Sequence, residues 1–346
     1  MGMSDMFTKK NFNSEIKNRI NKMQNLVELH LHLDGALSIN NCRKLAKIQN
    51  IDIPEDDDII RNMMMVSSDC HDLNEFLTKF EFPLSLLQTT DGIKNSIKIL
   101  QEELIEQGII YAEIRFAPQL HMCKGLSQDE VVAAAIKGLK SSNLRCNLIL
   151  CCMRGNENYA ENMETVRIAK KYLNKGVCAI DLAGAEGLYP TVDFEYIFKY
   201  AKELEIPFTI HAGEADGALS VKDAICFGAK RIGHGVRSVE NTSIVKLIAN
   251  QDITLEICPT SNICTSVYDN INDLPIKYFI DNGVNITINT DDPTVCNTKL
   301  KDELILIATT FNFDYDDIIK LQLNAINASF ASSEVKKAVI KKITNR

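Results

Sequence analysis

Short apolar runs recur along the chain, each followed by a longer stretch with helical periodicity, and this alternation restricts the fold more than any other feature. Eight runs read as strands: 27–33 (VELHLHL), 109–117 (IIYAEIRFA), 146–153 (CNLILCCM), 177–183 (VCAIDLA), 207–212 (PFTIHA), 231–235 (RIGHG), 253–258 (ITLEIC) and 285–290 (NITINT). Amphipathic stretches such as 92–107, 127–140 and 240–250 lie between them. Strands apolar throughout that alternate with helices form parallel sheets covered by helices. Eight such units predict an α/β fold of the (β/α)8 TIM-barrel type, and 346 residues accommodate that barrel with additions. The additions fall mainly after the first strand, where 34–95 must hold several helices. A doubly wound open sheet is the alternative, but it carries a glycine-rich phosphate turn after its first strand, and HLDGAL is not one. No composition break or low-complexity segment marks a linker. The chain therefore reads as one domain over 1–346, with 1–25 a polar N-terminal extension.

Charge and composition narrow the function. A formal net charge of −8 and the lack of a basic cluster argue against a nucleic-acid or anionic-membrane surface. Residues 1–25 lack the apolar core of a signal peptide, no run of 18 apolar residues exists, and Met6 fails a myristoylation pattern. The 11 cysteines are odd in number, mostly scattered in apolar stretches, and form no CxxC. That usage predicts reduced thiols in a cytoplasmic protein, neither a disulfide framework nor a metal site. Nothing implies a protein partner.

The stretch ELHLHLDG, 28–35, places two histidines in an apolar run. Alternation along a strand sends His30 and His32 to one face, roughly 6–7 Å apart, and Leu29, Leu31 and Leu33 to the other. Two imidazoles on one face can converge on one ion; two satisfied core histidines fit the same pattern. Other chemistry-capable residues cluster at later strand ends: Asp181 in strand 4, His211 and Glu214 in HAGE, His234 in RIGHG, and Asp291 and Asp292 in NTDDP. In a barrel these ends converge on one mouth, where active sites are built. Four of the six histidines fall there. Each motif also has a plain structural explanation: a strand-to-helix turn for HAGE, where Gly213 allows close backbone approach, a loop for RIGHG, and a helix cap for NTDDP.

His30, His32, His211 and Asp291 together supply three nitrogens and one oxygen, a set zinc takes readily with a water in a remaining position. Zinc lowers the pKa of that water towards neutrality. His234 and Asp292 remain to orient or deprotonate the water; strand alternation sends Asp291 and Asp292 opposite ways. Glu214, held away from water, remains as an acid. The inventory describes metal-assisted hydrolysis of a bond whose leaving group or ring must be protonated.

HLHLDGAL, IDLAGAE, IHAGE, RIGHG, LEICPTSN and NTDDP, in that order from about Val27 to the C-terminal helices, together resemble the adenosine deaminase family of the amidohydrolase superfamily. YAEIRFAPQLH and LILCCMRG are similar to its second and third strands. The resemblance implies a barrel with one zinc ion per chain, held by His30, His32, His211 and Asp291. It implies a purine nucleoside as the small-molecule partner: adenosine, converted to inosine and ammonia in purine salvage, and with it 2′-deoxyadenosine. By motif, Glu214 corresponds to the residue that protonates purine N1. His234, helped by Asp292, corresponds to the one that positions the water. Gly184 matches a backbone contact to N3, and Asp34 the residue that holds the ribose 5′-hydroxyl. The resemblance also implies that His32, besides holding zinc, contacts the substrate. DLNEFLTKF, 72–80, resembles a helical gate with Phe76, Leu77 and Phe80 facing the nucleoside; an ordinary amphipathic helix fits it too. Where the family often has an acid after DLAG, this chain has Ala185 and then Glu186, a difference that bears on loop packing.

Rival expectations remain on the same scaffold. Adenine deaminases tend to carry Glu where Asp34 stands, and aminodeoxyfutalosine deaminases share the barrel. AMP deamination lacks a basic cluster for the phosphate. A non-catalytic nucleoside-binding relative needs neither Glu214 nor a full ligand set. A two-metal hydrolase of the phosphotriesterase or dihydroorotase type wants a lysine at the end of strand 4, where Asp181 stands.

Overall fold

A computed structural model describes residues 3–67 and 73–345. Eight strands alternate with helices: β1 Leu26–His32, β2 Ile109–Phe116, β3 Arg145–Met153, β4 Val177–Ala183, β5 Thr209–Ala212, β6 Arg231–His234, β7 Thr254–Ile257 and β8 Asn285–Ile288. All pair in parallel, in the orders β1-β2-β3-β4 and β5-β6-β7-β8. Bridges at Ile180↔Phe208 and Leu31↔Asp291 join the two halves and close the barrel. At the second seam Asp291 N–H donates to the His30 carbonyl at 2.8 Å and His32 N–H to the Asp291 carbonyl at 2.9 Å.

The strands are apolar on both faces because a barrel buries both. Leu29 and Leu31 pack outward against covering helices while His30 and His32 face the interior. The segment after β1 holds helices Ile39–Gln49, Asp57–Met64, Leu73–Leu77 and Glu81–Ser85 ahead of the crossover helix Thr90–Glu106. Helix starts follow local chemistry. Thr89 caps the crossover helix, and Ser127 with Glu130 forms a reciprocal capping box on Gln128–Leu139.

Two expectations change. The N-terminal extension is not merely polar: Met3–Asn21 is a helix, with Ile16 and Ile20 buried in the main core and the Arg19 guanidinium 3.8 Å from the Tyr315 ring centroid. Two isoleucines four residues apart make one apolar face, and burying each contributes roughly 1.5–3 kcal/mol. Asp291 and Asp292 lie beyond β8, so strand alternation does not separate them. Asp291 instead adopts φ 62°, as His234 adopts φ 58° at the end of β6. Non-glycine residues in this region are uncommon and concentrate at functional sites. Among the described residues no helix is long and apolar enough to cross a membrane.

Candidate active site

The C-terminal ends of the strands surround a cavity of ≈ 240 Å³, somewhat below the roughly 300–1,000 Å³ usual for small-molecule sites. His32, Asp34, Gly184, His211, Glu214, His234, Asp291 and Asp292 line it, and Phe76, Leu77 and Phe80 close one side. Asp72, at the start of the expected gate, lies outside the described residues. His30 sits beneath the cavity, fully buried. A second cavity of ≈ 300 Å³ lies beside the first helices, lined by Glu28 and Glu103 but by no histidine.

Four donor atoms converge at the cavity floor. His30 Nε2 lies 3.0 Å from His211 Nε2 and 3.0 Å from Asp291 Oδ1. His32 Nε2 lies 3.3 Å from each of the same two atoms. Ligands about 2 Å from one ion in a tetrahedral set stand roughly 3 Å apart, so the spacing suits a metal. Donor atoms of His30, His211, His234 and Asp291 also fall within 4.8 Å of one another. His234 Nε2, however, comes no nearer to the Asp291 carboxylate than 3.9 Å to Oδ2, so His32 fits the ligand position better.

The tautomers strengthen the fit. His30 Nδ1 lies 2.8 Å from Glu256 Oε2, and His211 Nδ1 2.9 Å from Asp181 Oδ2, off the line of an ideal hydrogen bond. Burial alone would raise both carboxyls. For Glu256, Arg231 and Arg115 outweigh it; for Asp181, His211 and Arg115 do, so both stay well below the usual carboxylate range. An ionised carboxylate only accepts, so each Nδ1 carries the proton and each Nε2 presents a lone pair. Two lone pairs and an anionic oxygen facing one point form a nest of acceptors, which a cation satisfies.

Beneath this layer, Arg115 donates to Asp181 Oδ2 at 2.8 Å and to Glu256 Oε2 at 2.7 Å. Arg231 bonds Glu256 and Glu113, and Glu113 accepts the Phe330 N–H from the C-terminal segment at 2.6 Å. Gly233 lets the rings meet: a Cβ there would stand 3.0 Å from His30 Cε1 and 3.2 Å from the His211 ring.

Around the floor sit the remaining candidates. Glu214 is 4 % exposed, and burial, then the charges of Asp291 and Glu186, raise its carboxyl well above the usual range. Its Oε2 is 3.6 Å from His234 Nε2. Burial holds His234 neutral, well below the ordinary imidazole value. Burial and the charges of Asp291 and Asp34 raise Asp292. Gly213 serves packing rather than ligand approach: its φ is 72°, and a Cβ would stand 2.3 Å from Val221 Cγ2.

Several partners carry no assignment in the sequence analysis. In PTSN, Ser261 Oγ donates to Asp291 Oδ2 at 2.7 Å, and the Asn262 amide lies 3.1 Å from His234 Nδ1. Asn262 Oδ1 has no other partner among the described residues. Turning the amide so that Oδ1 meets Nδ1–H satisfies that oxygen and leaves His234 Nε2 as the free acceptor facing the cavity. Arg115 and Glu256 had a visible signal: charged residues inside otherwise apolar strands. Glu186 had none beyond its place after DLAGA.

Comparisons with known proteins identify the family. The family model described as adenosine deaminase matches residues 25–346. An adenosine deaminase from Haemophilus ducreyi is 43% identical over 330 residues, covering 93% of this chain and 96% of that one. One from Enterococcus faecalis is 36% identical, covering 92% and 95%. Among solved structures, an adenine deaminase from Arthrobacter aurescens superposes with TM-score 0.81 at 26% identity, covering 93% of this chain and 98% of that one.

Proposed function

The chain belongs to the adenosine deaminase family and is a hydrolytic deaminase, and from that premise we propose that, with one zinc ion, it converts adenosine to inosine and 2′-deoxyadenosine to 2′-deoxyinosine, releasing ammonia from each. Salvage of purine nucleosides in the cytoplasm is the role this reaction suits. The observation that carries the proposal is the nest of acceptors from His30, His32, His211 and Asp291 lying beside a buried carboxyl, Glu214, that burial raises above the usual range.

Zinc held by these four residues would activate a water by lowering its pKa towards neutrality. Glu214 donates a proton to purine N1, which drains electron density from C6 and prepares it for attack. His234 Nε2 orients the attacking water and takes its proton, with Asp292 alongside. Gly184, at the rim, presents its backbone to N3, and Asp34 accepts the 5′-hydroxyl. Phe76, Leu77 and Phe80 close over the nucleoside and keep bulk water from the reacting carbon. The amino group takes the proton held by His234 and leaves as ammonia, while the C6 hydroxyl returns a proton to Glu214, so the C–N bond breaks and the 6-oxo purine remains. Asp34 favours a nucleoside over free adenine, since a carboxylate at the mouth gives a ribose hydroxyl an acceptor and gives a base nothing.

The test is ammonia release from adenosine, 2′-deoxyadenosine, adenine and AMP, with a chelator-treated control. Fast, chelator-sensitive release from the two nucleosides alone supports the assignment. Release from adenine alone would overturn the role of Asp34, and no release from any of the four in zinc-loaded protein would overturn the substrate. Glu214→Gln should keep zinc and nucleoside binding yet lose about 10²–10⁴-fold in kcat; near-normal turnover would remove it as the acid.

A further inference from the structure

Four consecutive backbone N–H groups converge on one buried carboxylate. Gly213 N–H donates to Glu186 Oε1 at 2.7 Å, and the N–H groups of Glu214, Ala215 and Asp216 donate to Oε2 at 3.0, 2.8 and 3.0 Å. The Ser220 hydroxyl adds a fifth bond, to Oε1. Glu186 is 2 % exposed and lies 28 residues before the residue it surrounds. Only an acceptor with two oxygens can take five donors in this arrangement.

A second set of bonds braces the same segment from behind. Arg154 Nη2 donates to the His211 carbonyl at 2.6 Å and to Thr191 Oγ1 at 3.0 Å. The Thr191 and Ser220 hydroxyls stand 2.7 Å apart. Ser220 has one proton and gives it to Glu186, so Thr191 donates to Ser220 and accepts from Arg154. The chain Arg154–Thr191–Ser220–Glu186 therefore has a single consistent direction. Residues 211–216 are held by their carbonyl side through Arg154 and by their amides through Glu186. By contrast, among the described residues the Glu214 side chain has a long contact, 3.5 Å from Thr265 Oγ1, and the 3.6 Å approach to His234. Its aim is set by the backbone it hangs from.

We propose that Glu186 is the positioning residue of the catalytic acid: by fixing the peptide units on both sides of Glu214 it points that carboxyl at the ring nitrogen of the bound purine. The inference rests on Glu214 being the acid. Displacing a catalytic group by about 1 Å can cost on the order of 10² in rate. A glutamine at 186 keeps the size but offers one acceptor oxygen and turns an NH2 group towards amide donors.

The experiment is a double-mutant cycle between Glu186→Gln and Glu214→Gln, reading kcat, KM and zinc per chain. Glu186→Gln alone should lower kcat by about 10–10²-fold, with KM and zinc content near wild type. In the Glu214→Gln background the same change should leave kcat within about twofold, because the aim of a lost acid no longer matters. A full multiplicative loss in that background, or parallel losses of zinc and KM, would overturn the positioning role and leave Glu186 as general scaffolding. If Glu186→Gln does not fold, Ser220→Ala replaces it: it removes one of the five donors and should lower kcat severalfold with the same collapse of the effect in the cycle. Normal turnover by Glu214→Gln alone would instead sink the assignment of the acid, which the cycle reports separately.

Discussion

Replacing Asp181 by Asn keeps the shape of a fully buried side chain and removes its charge. Three N–H groups face the carboxylate, Arg115 at 2.8 Å and, off the ideal line, His211 Nδ1 at 2.9 Å on Oδ2, and the Leu182 N–H at 2.7 Å on Oδ1, with the Cys151 thiol 3.9 Å from Oδ2. An amide has one acceptor oxygen. Placed towards Arg115 and His211, it turns its NH2 into the Leu182 N–H; flipped, it turns NH2 on the other two. Either orientation leaves a buried donor unpaired, at about 1–3 kcal/mol. His211 also loses the anion that makes its Nε2 a strong donor to metal, an effect of roughly 10–100-fold in metal affinity, or about 1.4–2.7 kcal/mol. Competition against a chromogenic zinc chelator measures the second number, and denaturant unfolding of the metal-free protein the first. Glu113→Gln is the control: it sits in the same buried network but touches Arg231 rather than a ligand, so it should cost stability and leave zinc affinity alone. Zinc affinity of Asp181→Asn within twofold of wild type would refute the claim that this carboxylate tunes His211.

Three further outcomes follow from the geometry. Asp34→Ala should lower kcat/KM for adenosine by about 10–10²-fold, the value of a hydrogen bond to a charged group, and leave 5′-deoxyadenosine nearly untouched; equal losses on both substrates would refute the ribose contact. Burial raises the Glu303 carboxyl to about 7, above its value near 4.5 in the unfolded chain. The folded state therefore binds more protons between those values, and the stability Glu303 contributes is present at pH 4.5 and lost as pH rises through 7, by about 3 kcal/mol. Unfolding free energies at pH 5 and pH 8 should show wild type losing more than Glu303→Gln over this interval, and parallel losses would discard the assignment. Gly233→Ala should force the His30 and His211 rings apart and weaken zinc binding at least tenfold; titration with the same chelator checks it, and unchanged affinity would mean that the rings yield without cost.

The barrel was legible because each strand had to be apolar on both faces, and the sequence shows that eight times. The ligand candidates were legible because a histidine in an apolar strand, as in LHLHL, has so few reasons to be there. Two kinds of information were not. Asp291 and His234 reach the floor through left-handed backbone rather than strand alternation, and neither residue type announces that conformation. Glu186 works through the amides of a loop that is remote in sequence, so no spacing rule connects it to Glu214. Ser261 and Asn262 stood inside a quoted motif, yet only the fold pairs one with Asp291 and the other with His234.

The seam between β1 and β8 has a consequence for the order in which the protein matures. Glu28 and Thr290, bonded across it, are separated by 262 residues; of the ligand candidates, His30 and His32 lie at the first end, Asp291 at the other, and His211 between them in β5. A growing polypeptide thus exposes His30 and His32 almost at the outset but has nothing to complete the set until Asp291 is made and the last strand has docked beside the first. An ion that needs all four candidates would find the complete set only once the last strand has docked beside the first. Bound there, it would act as a latch across the β1–β8 seam, stabilising the closed ring by an amount set by its free concentration over its dissociation constant.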